Sequence, residues 1–147
     1  MRNAAMLKLK SFGRLVGLGL IMATSIPVAW AKAPTPSEII GTWFNPDGTV
    51  AVRTGDCAGR LCGWISWASP EALQDARDSG IERLIGIELL QNYRSEAPGR
   101  WRGTVFVPDM GHSFKSRITQ LSPNNLKISG CLLGGFVCMS QVWHKVG

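Results

Sequence analysis

Short apolar or alternating segments separated by turn residues follow one another from Ile39 to the end of the chain. The breaks are strongest where Gly, Pro, Asn and Asp cluster, and they recur about every 8 to 12 residues, which is typical of all-β proteins. Eight strands are predicted, at residues 40–45, 49–54, 61–67, 84–93, 100–107, 113–121, 126–131 and 136–145.

Alternation within the segments predicts which side chains share a face. In the sixth segment Phe114, Ser116 and Ile118 alternate with Lys115 and Arg117, so one face is dry and the other is wet. Eight antiparallel strands of this kind can close into an up-and-down barrel or form a two-sheet sandwich. Because the connections are short, we expect the barrel, whose interior is either filled by side chains or holds one small ligand.

One connection carries a helix signal between the third and fourth strands. Ser69 is suited to an N-cap, Pro70 to the first helical position and Glu71 to an acidic first turn, and Gly80 follows as a stop. These residues predict a helix of about two turns ending near Asp78. It could act as a lid over a barrel mouth, but we favour a plain connector because no clear amphipathic face is visible.

The first 31 residues have the layout of a secretory signal peptide. Four basic residues precede an apolar run from Leu15 to Trp30, which ends in Ala29-Trp30-Ala31, and no acidic residue occurs before Glu38. A retained membrane anchor is the alternative, but glycines and a proline interrupt the run. We therefore expect cleavage after Ala31, a short extended leader at residues 32–38, a β-barrel domain at residues 39–147 and no stable membrane span after cleavage.

Removing this segment changes the interpretation of the charge. The whole chain has a formal net charge of +6, but residues 32–147 hold twelve basic and ten acidic residues, a net +2. Without a basic run in that part of the chain, the sequence does not indicate a nucleic-acid partner.

Four cysteines are present, an even number that predicts disulfides in an exported chain. Cys57 and Cys62 flank one turn, and Cys131 and Cys138 flank another. Two local bridges are the simplest of the three connectivities, although neighbouring hairpins could exchange partners. Neither pair has Cys-x-x-Cys spacing, so we expect no metal site.

The inventory of catalytic groups is small. Of the two histidines, His112 lies in a turn and His144 in the last strand, and no motif of a known catalytic arrangement accompanies either one. We therefore expect neither an enzyme nor a cofactor.

Aromatic residues are frequent in the predicted strands. Large flat side chains that face a barrel interior can form an apolar pocket for a small ligand, or they can simply fill the core. The candidate ligand-lining residues are Trp43, Trp101, Phe114, Ile118 and Ile128.

The start of the first strand resembles the calycin barrels, a group that includes the lipocalins, fatty-acid-binding proteins and avidins. The resemblance rests on Gly41-Thr42-Trp43, which is similar to their Gly-x-Trp opening. In lipocalins this Trp packs at the closed end of the barrel against a basic residue from late in the chain. The resemblance therefore implies a barrel-closing pair of Trp43 and Lys145.

A broader resemblance covers nearly all of residues 40–143. The chain is similar to a family of exported bacterial proteins, the domain of unknown function 2147, which has a calycin-type fold and no known activity. The matching segments are residues 40–43, 46–48, 61–65, 99–103, 108–111, 128–132 and 140–143.

Taken together, the sequence predicts a periplasmic or secreted barrel that binds a small hydrophobic molecule. The alternative is a protein-interaction or inhibitor-type envelope module that has a filled core and binds another exported protein. The volume of the barrel interior distinguishes the two hypotheses.

Overall fold

The computed structural model describes residues 36–147 of the chain. The predicted signal peptide, its cleavage site after Ala31 and the first part of the predicted leader lie outside these residues. The described end of the leader is not extended as expected: Pro36–Ile39 forms a 3₁₀ helix, here called the plug helix. The hydrogen bonds that its carbonyl groups accept from the barrel favour this compact conformation over an extended one.

The eight strands form a closed antiparallel barrel in which each strand pairs with the next and the last pairs with the first. This confirms the predicted fold class. The strands are β1 (Gly41–Phe44), β2 (Val50–Asp56), β3 (Leu61–Ala68), β4 (Glu88–Ala97), β5 (Arg100–Val107), β6 (His112–Ser122), β7 (Asn125–Leu132) and β8 (Val137–Val146).

The fourth strand lies further along the chain than predicted. Residues 84–93 were expected to form it because they are apolar, but the strand begins at Glu88 and continues through polar residues to Ala97. Gly86 has a φ of +92° and turns the chain just before the strand, while Leu84 is buried in the connection. The apolar residues before Glu88 therefore pack the connection between β3 and β4 against the core instead of forming a strand.

A short α-helix, α1 (Pro70–Asp78), lies between β3 and β4 as predicted. The Ser69 hydroxyl accepts a hydrogen bond from the Ala72 N–H at 3.1 Å, which satisfies one of the free donors of the first turn. Ala76 is buried in the hydrophobic core cluster. The connector therefore contributes to the core. Among residues 36–147, no helix is long and apolar enough to cross a membrane.

The inward faces of the strands follow the alternation seen in the sequence. Trp101, Ile118 and Ile128 are register partners across β5, β6 and β7, and all three are buried. The residues adjacent in sequence to Trp101 and Ile118, Arg102 and Arg117, are exposed on the outer face. The middle of the barrel is thus filled by side chains.

The plug helix closes the barrel end at which the β2–β3, β4–β5 and β6–β7 turns lie. The Ile39 carbonyl accepts hydrogen bonds from Trp43 Nε1 at 3.0 Å and from the Thr54 hydroxyl at 2.6 Å. The Thr54 oxygen in turn accepts from the Gly41 N–H at 3.1 Å and from Trp43 Nε1 at 3.2 Å. This closure network ties the start of β1 to β2 inside the protein.

The structure brings Trp43 and Lys145 together across β1 and β8. They are register partners, and Lys145 Nζ lies 5.4 Å from the centroid of the Trp43 ring while donating to the Glu38 carbonyl at 2.8 Å. A Cβ atom on Gly41 would lie 2.5 Å from Lys145 Cε. A side chain at residue 41 would therefore displace the lysine from its present position beside the plug helix.

We expect Thr54→Val to lower the free energy of unfolding by about 1–3 kcal/mol, because it leaves buried hydrogen-bonding groups without the hydroxyl. Thr42→Val, on the outward face of β1, is the matched control and should change stability by less than about 0.5 kcal/mol. Urea denaturation of the two variants checks this. Equal stability of the two variants would contradict the role assigned to the hydroxyl.

Candidate functional site

A half-open pocket of about 430 Å³ lies at the plugged end of the barrel. The plug helix, the β2–β3 loop and the adjoining ends of β4 and β5 enclose it. The residues that line it are Ile39, Ile40, Gly55, Asp56, Gly59, Arg60, Leu61, Tyr93, Ser95 and Trp101. Its volume falls in the range of small-molecule sites in proteins, roughly 300–1,000 Å³.

The inner wall of the pocket is apolar. Ile39, Leu61, Tyr93 and Trp101 are all buried, and they come from the plug helix and from three different strands. Ile40 forms part of the rim and is 41% exposed. A bound molecule would cover this isoleucine, so apolar contact would favour binding here.

The polar rim comes from the loop between β2 and β3. The Cys57–Cys62 disulfide closes this loop at a Cα–Cα distance of 6.1 Å. Asp56 Oδ1 accepts a hydrogen bond from the Gly59 N–H at 3.1 Å, and Arg60 Nη1 donates to Asn92 Oδ1 at 3.0 Å. A guanidinium carries five N–H donors, so Arg60 can bind an anionic group while it keeps this contact.

A bulge in β4 turns Tyr93 into the barrel. Asn92 has a φ of +54°, and the pairing of β4 with β5 shifts between Gln91 and Arg94, so that two residues oppose Gly103. A Cβ atom on Gly103 would lie 2.6 Å from Tyr93 Cγ. The absence of a side chain at residue 103 therefore makes the space for the tyrosine ring.

The Tyr93 hydroxyl is hydrogen-bonded to the Ser116 hydroxyl inside the barrel. Burial raises the pKa of Tyr93 to about 12, and the hydrogen bond from Ser116 opposes the shift only in part. The hydroxyl is thus neutral at ordinary pH, and the tyrosine presents an apolar ring to the pocket.

A second polar group is buried on the inner face of β6. Both amide atoms of Gln120 lack a hydrogen-bond partner among the described residues. Leaving such a group unpaired costs about 1–3 kcal/mol.

The five candidate ligand-lining residues do not meet in one pocket. Trp101 lines the pocket beside the plug helix, and Phe114 lines a second, more open hollow beside β6. Trp43, Ile118 and Ile128 line neither hollow and belong to the packed core. Alternation predicts that these side chains point inward but does not predict their depth along the barrel axis.

The candidate ligand-lining residues did not include Ile39, Leu61, Tyr93 or Arg60. Two signals were available: Arg60 and Leu61 lie within or beside the loop bounded by Cys57 and Cys62, and Tyr93 is the only tyrosine in the chain. The bulge that turns Tyr93 inward depends on backbone conformation at Asn92, which the sequence pattern does not show.

The four cysteines form the two local pairs that were the simplest expectation, Cys57–Cys62 and Cys131–Cys138. The histidines lie away from the pocket: His144 Nδ1 is 2.6 Å from Asn125 Oδ1, and the His112 ring is 6.2 Å from the Phe114 ring. Within residues 36–147, no three His, Cys, Asp or Glu side chains gather where they could hold a metal ion.

A closed eight-stranded antiparallel barrel with neighbouring strands joined in order is a lipocalin-like barrel. The family model DUF2147, described as an uncharacterized protein conserved in bacteria, matches residues 41–145, and the chain belongs to this family. No curated protein has significant similarity to the sequence.

Two solved structures match the chain. HP1028 from Helicobacter pylori, described as belonging to the lipocalin family, is 11% identical and has a TM-score of 0.53 over 80% of this chain and 84% of that chain. A redesigned β-barrel is 14% identical and has a TM-score of 0.49 over 76% of this chain and 94% of that chain. At this identity the likeness to HP1028 shows the fold alone.

Because Tyr93 is the only tyrosine, alkaline titration of tyrosinate absorbance reports on the barrel interior. We expect a midpoint near pH 12 in the native protein and near the ordinary value of 10.0 in denaturant. Since the folded pKa is the higher one, the stability linked to Tyr93 is fully present below pH 10 and is lost as the pH rises from 10.0 to about 12. A native midpoint near 10.0 would show that the ring is solvated.

Proposed function

We propose that this protein binds a small molecule with an apolar body and one anionic group in the pocket beside the plug helix. The observation that carries the proposal is the pocket of about 430 Å³ whose inner wall is made of buried apolar side chains. Trp101 and Leu61 would contact the apolar part of the ligand, and Arg60 at the rim would bind its anionic group.

The filled middle of the barrel is what the interaction module requires, and the pocket at the plugged end is the observation that favours a small ligand instead. Although the middle of the barrel is packed, the space at its plugged end is large enough for a ligand. Phe136, in the turn between β7 and β8, is 92% exposed and is the strongest observation for the alternative of binding another exported protein. A single exposed ring is weaker support than an apolar pocket that several elements enclose.

The fold supports the proposal by analogy. Lipocalin-like barrels of eight strands can hold one small ligand, although a fold by itself does not define a function. Export to the periplasm or the medium is part of the proposal. The two disulfides support it because such bonds persist in oxidising compartments, and the composition of the first 31 residues supports it independently.

Binding of decanoate and decanol, measured by calorimetry, tests the proposal. We expect both probes to bind and Ile40→Glu to weaken both by roughly tenfold, since the new carboxylate would be desolvated beside an apolar chain. Ile85→Glu is the matched control because Ile85 is 40% exposed, compared with 41% for Ile40, and lies outside the pocket lining. Arg60→Gln should weaken decanoate binding alone.

Failure of the wild-type protein to bind either probe would contradict the proposal and favour the interaction module. An equal loss in Ile40→Glu and Ile85→Glu would show that binding occurs elsewhere. Thermal unfolding of each variant confirms that the protein compared is folded.

A further inference from the structure

Basic side chains gather on the outer face of β4, β5 and β6. Arg94 is the register partner of Arg102, and Arg102 is the register partner of Arg117, so three arginines stand in one row across three strands. Lys115 lies two residues before Arg117 and therefore shares its face. All four side chains are exposed. We call this set the arginine row.

The arginine row carries more positive than negative charge. Arg102 Nε lies 2.5 Å from Glu96 Oε1, and Arg117 Nε lies 3.2 Å from Glu96 Oε2. Within residues 36–147 these are the ion pairs of the two arginines, so both share one carboxylate. Like charges directly opposite each other destabilise a sheet. A bound anion would offset this repulsion.

A hollow of about 560 Å³ borders the arginine row. Arg102, Lys115 and Arg117 line it together with Phe114 and three serines, Ser113, Ser116 and Ser129. The hollow also reaches the turn Leu133–Gly135, which the Cys131–Cys138 disulfide holds at a Cα–Cα distance of 4.0 Å. Three cationic side chains thus border a space of ligand size.

We propose that this hollow is a second binding site, for a phosphate-type anion. Guanidinium groups bind phosphate oxygens in a two-point geometry, and the ammonium group of Lys115 adds further donors. The site is independent of the apolar pocket, because the two share no lining residue. The anion could be a free phosphate compound or the headgroup of an acidic phospholipid, since both present the same chemistry.

Titration of the purified protein with pyrophosphate, followed by calorimetry at constant ionic strength, tests the proposal. We expect saturable binding that Lys115→Gln/Arg117→Gln weakens by roughly tenfold or more, because charged hydrogen bonds are lost. Arg53→Gln, an exposed arginine on β2, is the matched control and should bind as the wild type does.

Glu96→Gln should shift the affinity in the opposite direction. Removing the shared carboxylate frees two guanidinium groups, so we expect tighter pyrophosphate binding in a variant that is still folded. This gain distinguishes an anion site from general damage to the barrel, which would weaken binding.

Vesicles of phosphatidylcholine with phosphatidylglycerol identify the source of the anion. Binding to these vesicles that pyrophosphate reverses indicates a lipid headgroup, and pyrophosphate binding without vesicle binding indicates a free phosphate compound. The proposal is overturned if the wild type binds neither probe. It is equally overturned if Arg53→Gln and the double variant lose affinity alike, or if Glu96→Gln weakens binding.

Discussion

The hydrogen bonds of the buried Thr54 hydroxyl hold the plugged end of the barrel together. It donates to the Ile39 carbonyl and accepts from the Gly41 N–H and Trp43 Nε1, so one side chain links polar groups of the plug helix and β1 to β2. Through Ile39 the closure network holds the plug helix across the barrel end. The same helix supplies one wall of the apolar pocket, so closure of the barrel and formation of the site have a common cause.

The packed core, the apolar pocket and the arginine row occupy different parts of the barrel. Large side chains fill the middle, and Tyr93 fits there because Gly103 has no Cβ atom. The apolar pocket lies beyond this filled layer, at the end bounded by the plug helix. The arginine row lies on the outer surface of β4, β5 and β6. One small barrel can therefore offer an apolar site and an anionic site without overlap.

Local pattern predicted the strands and helix α1 well, because alternation and capping residues act over a few positions. It misplaced β4 because its position depends on the backbone turns at Gly86 and Asn92, which apolar content does not reveal. Prediction of the pocket would have required the depth of each inward side chain along the barrel axis, which alternation does not give. Prediction of the arginine row would have required the strand register, because Arg94 and Arg117 are far apart in the sequence and do not belong to a basic run.

The position of a bound ligand tests the central claim, which places the apolar site at the plugged end. Intermolecular nuclear Overhauser effects between decanoate and the isotope-labelled protein measure this position. The structure predicts contacts from the ligand chain to Ile39, Ile40 and Trp101. Contacts instead to Val107 and Phe114, toward the opposite end of the barrel, would contradict the claim.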